Sequence, residues 1–194
     1  MNEKKIGLYF GTFNPVHIGH LIIANFMATQ TDLSEVWMVV SPRNPLKKKD
    51  TLLGNYDRLH LVNLGIGNNA RVKASDIEFS LPVPSYTIDT LTYLKEKFPD
   101  KKFVLIMGGD NLATFHLWKN YISILNHYSI YIYSRPGFAI PPEFSQHPSI
   151  QFFESPQMNI SATYIRECIK KKKSVQYLLP EPVFEYIRDS NLFQ

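Results

Sequence analysis

The sequence predicts a doubly wound α/β fold: a parallel sheet with helices on both faces and a C-terminal helical segment. Three observations carry this reading. Apolar runs of strand length recur at Ile6–Phe10, Val36–Val40, Phe103–Met107 and Ile130–Tyr133. Their near-continuous hydrophobicity marks strands buried on both sides, as parallel strands are. Between them lie segments with helical spacing of apolar residues, and strand–helix alternation builds a parallel sheet because each parallel connection needs a crossover.

Ile6–Phe10 opens the sheet, and Ile18–Gln30 reads as the first helix. Val36–Val40 follows, then a helix at Tyr56–Leu64 with Tyr56, Leu59 and Val62 on one side. Val72–Ser75 is a weaker strand, succeeded by a helix at Ile88–Lys97 whose Ile88, Leu91 and Leu94 share a face. Phe103–Met107 leads into a helix at Asn111–Leu125. Ile130–Tyr133 and the weaker Ile150–Phe153 complete the strands, with a Pro-rich loop, Pro136–Pro148, between them. Ser161–Lys172 reads as a helix capped by Ser161, and Pro180–Leu192 as a last helix with proline near its first turn. This is a Rossmann-like order, in which ligands bind beyond the C-terminal ends of the strands. Gly11–Asn14, Ser41–Pro45 and Gly108–Asn111 all occupy that position.

The 194 residues fit one domain, 1–194; 44% are hydrophobic, enough for a sizeable core, and 20% are charged, which argues against disorder. A formal net charge of +4 suits small anionic ligands and falls short of the basic face of a nucleic-acid binder. The single cysteine, Cys168, rules out an internal disulfide and fits a reducing compartment. Met1–Lys5 is charged and leads straight into a strand, without a signal core. No apolar run approaches the roughly 20 residues needed to cross a bilayer. The expectation is a soluble cytoplasmic protein with no nucleic-acid or membrane partner; a homo-oligomer stays open.

The chemistry concentrates in Gly11-Thr12-Phe13-Asn14-Pro15-Val16-His17-Ile18-Gly19-His20, a turn between the first strand and the first helix. A helix N-terminus presents N–H groups and the positive end of its dipole to an anion. Histidines three residues apart lie on one face of a turn, so both can reach one polyphosphate. A second anion site is expected at Ile160-Ser161-Ala162-Thr163-Tyr164-Ile165-Arg166, where two hydroxyls open a helix and a guanidinium follows one turn later.

The first of these runs resembles the signature of the nucleotidyltransferase superfamily that carries an HxGH motif, and the second resembles its ISxTxIR element. Pro84-Ser85-Tyr86-Thr87-Ile88-Asp89-Thr90-Leu91 is similar to the SYTxDTL element of nicotinate mononucleotide adenylyltransferases, and Gly108-Gly109-Asp110-Asn111 to their G-x-D element. The resemblance implies that His17 and His20 are catalytic and that Gly11, Thr12, Phe13, His17, His20, Gly108, Asp110, Ser161, Thr163 and Arg166 bind ATP, with Asp110 on the adenylate ribose. It implies that Asn44, Lys48, Lys49, Ser85, Tyr86, Thr87 and Trp118 bind the mononucleotide, with Trp118 stacked on its ring. Ser41-Pro42-Arg43-Asn44-Pro45-Leu46-Lys47-Lys48-Lys49 departs from the family's Pro-Asn-x-x-Pro-Pro-His-Lys, so Lys48 and Lys49 both stand as candidates for the substrate phosphate.

The implied reaction transfers the adenylyl group of ATP to nicotinate mononucleotide, giving nicotinate adenine dinucleotide and pyrophosphate, a step of NAD biosynthesis. Mg²⁺ would be held mainly through the ATP phosphates. His60, His116, His127, His147 and Cys168 show no metal-ligand spacing, so no protein metal ligand is expected. Three competing readings are a phosphopantetheine adenylyltransferase, a nucleotide sensor without turnover, and an RNA binder using Lys47–Lys49 and Lys170–Lys173. The last lacks interleaved aromatics.

Overall fold

β1 (Lys4–Gly11) and β4 (Lys101–Gly108) pair in parallel at the centre of the sheet, with Leu8 opposite Leu105. The structure is a computed structural model and describes residues 4–42, 52–135 and 137–194. On the other side of β1 lie β2 (Glu35–Val40) and β3 (Val72–Ser75); beyond β4 lie β5 (Ser129–Tyr133) and β6 (Ile150–Phe153). The six strands run β3-β2-β1-β4-β5-β6, all parallel. Strand order reverses between β1 and β4, so the helices leaving them go to opposite faces and a crevice opens above.

Alternate side chains of each strand feed two cores. Tyr9, Met38, Val40, Val104, Ile106, Tyr131 and Tyr133 point to one face. There they pack against α1 (Ile18–Gln30), α2 (Asn55–Ile66), α6 (Ala162–Lys170) and α7 (Glu181–Asp189). Ile6, Leu8, Phe103, Leu105, Met107, Ile130 and Ile132 point to the other. That face is covered by α3 (Thr87–Lys97), α4 (Gly109–Leu112) and α5 (Tyr121–His127). Both faces are thus covered, as the uninterrupted apolar strands require.

Four of the expected helices depart from expectation. Asn111–Leu125 is broken into α4, a 3₁₀ turn at Phe115–Leu117, and α5. Trp118 takes an extended conformation and Asn120 a left-handed one, at φ 52°. Asparagine tolerates that region better than most residues, while Leu112, Phe115, Ile124 and Leu125 on either side remain buried in one core. The C-terminal helices end early, at Lys170 and Asp189, where Lys172 and Asn191 turn left-handed and the following amides bond back to Cys168 and Ile187 carbonyls. On α2 the inward side carries Arg58, Leu61 and Val62, and Tyr56 is 73% exposed. Val62 and Leu59 do face the core as their spacing predicts, but Tyr56 does not, and the Arg58 guanidinium holds that part of the inward side. Among the described residues, no helix is long and apolar enough to cross a membrane.

Candidate active site

A cleft of about 920 Å³ lies over the C-terminal ends of β1, β2, β4 and β5. Its first wall is the turn after β1. Phe13 sits there at φ 45°, a strained backbone for an L-residue, held by burial of its ring edge-on against Tyr9 (5.7 Å) and His20 (5.1 Å). Gly11 is required beside it, since a Cβ at that position would fall 2.7 Å from the Phe13 ring.

His17 caps α1 and His20 is the third residue inside it; their rings stack with centroids 3.6 Å apart. The His17 backbone N–H donates to His20 Nδ1 at 3.2 Å, so in His20 the ring proton resides on Nε2. Burial, reinforced by the positive charge of Arg135, pushes the His17 pKa down to about 4. At neutral pH His17 is therefore an uncharged imidazole, a hydrogen-bonding group and not a cation. The first amide of α1, Ile18, is engaged by the Leu178 carbonyl at 3.1 Å. The helix end is consequently less open to an anion than the sequence suggests, because the chain before α7 packs over it.

The opposite wall is the start of α6. Ser161 Oγ accepts the Tyr164 N–H at 3.2 Å, a normal N-cap. Arg166 donates from Nη2 to Thr163 Oγ1 at 3.3 Å and from Nη1 to the Asn14 carbonyl at 2.7 Å.

Tyr9 and Tyr133 lie between the walls, their hydroxyls 3.4 Å apart. Burial raises both pKa values, so both stay neutral phenols. Asp110 faces Arg135 with Nε 3.7 Å from Oδ1. At the far end Trp118 is half-buried edge-on against Phe115, centroids 5.5 Å apart. Nearby, Lys119 lies 4.6 Å from the centre of the Tyr86 ring and pairs with Asp89 at 3.0 Å. Glu78, 2% exposed, accepts from Thr90 Oγ1 at 2.7 Å, and burial raises its pKa against the hydrogen bonds of Thr90 and Ser41.

A family model described as Cytidylyltransferase-like matches residues 8–168. A protein of Flavobacterium psychrophilum named "Probable nicotinate-nucleotide adenylyltransferase" is 56% identical over 191 residues, spanning 98% of this chain and 99% of its own. One of the same name from Cytophaga hutchinsonii is 54% identical over 183 residues, spanning 94% and 95%. The chain belongs to the nicotinate-nucleotide adenylyltransferase family. The solved Plasmodium falciparum nicotinic acid mononucleotide adenylyltransferase, complexed with NaAD, shares the fold: its TM-score is 0.84 at 21% identity, over 98% of this chain and 97% of that one. A putative nicotinate-nucleotide adenylyltransferase from Vibrio parahaemolyticus gives 0.72 at 20%, over 95% and 99%.

In this member of the adenylyltransferase family, Gly11, Thr12, Phe13, His17, His20, Asp110, Ser161, Thr163 and Arg166 all line the one cleft, as do Ser85, Tyr86, Thr87 and Trp118. Gly108 does not reach its surface. It ends β4 behind Asp110, where a Cβ would fall 2.3 Å from Asp110 Oδ1, so it makes room for the carboxylate. Asn44, Lys48 and Lys49 lie outside the described residues. The sequence reading missed Tyr9, Glu78, Tyr133 and Arg135. Arg135 had a usable signal, since it follows the end of β5 just as Ser41 follows the end of β2. The tyrosines had none, because they read as ordinary strand residues. Among the described residues, no three His, Cys, Asp or Glu side chains gather where they could hold a metal ion.

Proposed function

We propose that this cleft transfers the adenylyl group of ATP to nicotinate mononucleotide, giving nicotinate adenine dinucleotide and pyrophosphate, and that the whole chain, 1–194, is the catalytic unit. One observation carries the site assignment: the two phosphate-handling motifs line one cleft and are joined by the hydrogen bond between Arg166 and Asn14, 152 positions apart in sequence. The helices of both motifs, α1 and α6, also share one core.

In this reaction a phosphate oxygen of the mononucleotide forms a bond to the α-phosphorus of ATP as the bond to the leaving pyrophosphate breaks. The attacking group is already an anion, so no strong general base is needed. The protein's task is to align two anions and meet the charge that builds on the transferring group. His17 and His20 would contribute neutral N–H groups, and Arg166 a fork of charged donors. Asp110 would accept from a ribose hydroxyl, and the face of Trp118 would carry the flat ring. The lining carboxyls, Glu78 and Asp110, are separately engaged by Thr90 and Arg135, which fits a Mg²⁺ ion brought in on the triphosphate rather than caged by protein. When bound, that ion would neutralise phosphate charge.

The test is pyrophosphate release from ATP with nicotinate mononucleotide, nicotinamide mononucleotide or phosphopantetheine as acceptor, for the wild type, His17→Ala and His20→Ala. The expected result is turnover with the nicotinate substrate and a loss of roughly 10²–10³-fold in each variant, the range for a lost transition-state donor. Release with phosphopantetheine alone would reassign the acceptor. Near-normal turnover in both variants would remove the histidines from their assigned role.

A further inference from the structure

Arg58, on α2, has 0% exposure, yet among the described residues every group it hydrogen-bonds is uncharged. Nε donates to the Leu53 carbonyl (3.0 Å), Nη1 to those of Thr12 (2.7 Å) and Ser41 (2.8 Å), and Nη2 to that of Pro42 (3.3 Å) and to Asn55 Oδ1 (2.7 Å). These use all the N–H groups a guanidinium has. Burial lowers its pKa only to about 10, so it stays cationic at neutral pH. Buried arginines are ordinarily paired with a carboxylate, and on stability grounds alone an apolar side chain often does as well. Neutral acceptors satisfy the donors and leave the charge in place.

The acceptors belong to three segments: the turn after β1, the end of β2, and the entry to α2. Ser41 N–H to the Gly11 carbonyl (2.9 Å) and Leu53 N–H to Asn14 Oδ1 (3.2 Å) knit the same segments. Thr12, Ser41 and Pro42 line the cleft, whereas Arg58 lies behind it. Their carbonyl oxygens are thereby drawn away from a bound anion, which they would otherwise repel.

We propose that Arg58 is a positioning residue for adenylyl transfer: its guanidinium sets the phosphate turn at Thr12 against the end of β2 and leaves an unneutralised positive charge directly behind the triphosphate site. This rests on the reading of the cleft given above. A role confined to stability would lower Tm and leave the folded enzyme's constants alone.

Arg58→Lys keeps the charge but offers three donors on a flexible stem; Arg58→Met removes both charge and donors. Both are assayed below their unfolding temperatures for KM, kcat and direct ATP binding by calorimetry. In Arg58→Lys, which loses at least two of the five hydrogen bonds, kcat/KM for ATP should fall about tenfold, and in Arg58→Met, which loses all five and the charge, about a hundredfold. ATP binding should weaken in the same order. Folded Arg58→Lys and Arg58→Met with constants within about twofold of wild type overturn the proposal. Should neither variant fold, Asn55→Ala decides: it removes one acceptor, and ATP binding should weaken about threefold, an unchanged affinity counting against the proposal. A wild type that binds ATP but releases no pyrophosphate with any acceptor defeats the reading of the reaction instead, and ATP binding by the variants still decides the role of Arg58.

Discussion

Arg166 on α6 reaches across the cleft to the carbonyl oxygen of Asn14, 2.7 Å away, and so ties the start of α6 to the turn after β1. The contact holds the guanidinium in place, which would lower the entropy cost of binding a triphosphate under the proposed function. Arg166→Gln should raise the KM for ATP by about 10- to 100-fold and lower unfolding stability by about 1–2 kcal/mol, in keeping with loss of a charge-assisted hydrogen bond to a buried loop. Steady-state kinetics and urea unfolding measure the two effects. An unchanged KM alongside reduced stability would make the contact purely structural.

The pH dependence of stability should carry a signature of His17. Its folded pKa of about 4 lies below the ordinary value of 6.5, so between those limits the unfolded chain binds more protons than the native one. Stability from this group is fully present above the unfolded value and is lost as pH falls from about 6.5 towards 4. His17→Gln cannot titrate and lacks this dependence. Urea midpoints compared at about pH 7.5 and about pH 5 should show wild type losing more stability than the variant. Parallel losses would mean that His17 titrates normally.

Gly19 separates stability from activity. Alanine is the better helix residue by about 0.5–1 kcal/mol, but a Cβ there would stand 3.1 Å from His17 Nδ1 and 3.2 Å from Cε1. The imidazole must shift by a few tenths of an ångström. Gly19→Ala is expected to keep or raise Tm while kcat falls about tenfold, since catalysis is sensitive to such displacements. Unaltered kcat would show that the His17 ring position is not critical.

Trp118 is held by Phe115 with part of its surface in the cleft. Trp118→Ala should raise the KM for nicotinate mononucleotide about tenfold, the scale of a lost ring–aromatic stack, and leave the KM for ATP within about twofold. A larger effect on ATP than on the mononucleotide would move Trp118 to the adenosine end.

The strands, their parallel pairing and the two runs that line the cleft could be read from sequence because their signals are local. The run Ile6 to His20 contains a strand, a turn and a helix start in contiguous residues. The Asn111–Leu125 segment could not be read as well. Its apolar spacing is satisfied by a broken path as easily as by one helix, and the left-handed Asn120 is selected by packing. The break matters because it leaves Trp118 between two buried stretches with a face on the cleft. Gly108 was likewise legible as a strand end, but its service to Asp110 is a close approach that only coordinates reveal.

By itself the sequence determined the class of fold, the strand ends over which the cleft opens, and the two runs of residues that line its opposite walls. Tertiary structure alone decided that Asn14 and Arg166 touch, that Arg135 and Asp110 face each other, and that an arginine on α2 is buried against four carbonyls. The reason is physical. Periodicity reports which side of an element avoids water, whereas a polar group's partner is set by strand order and packing, and in a low-dielectric interior the partner decides whether a buried charge is tolerated and what field it exerts.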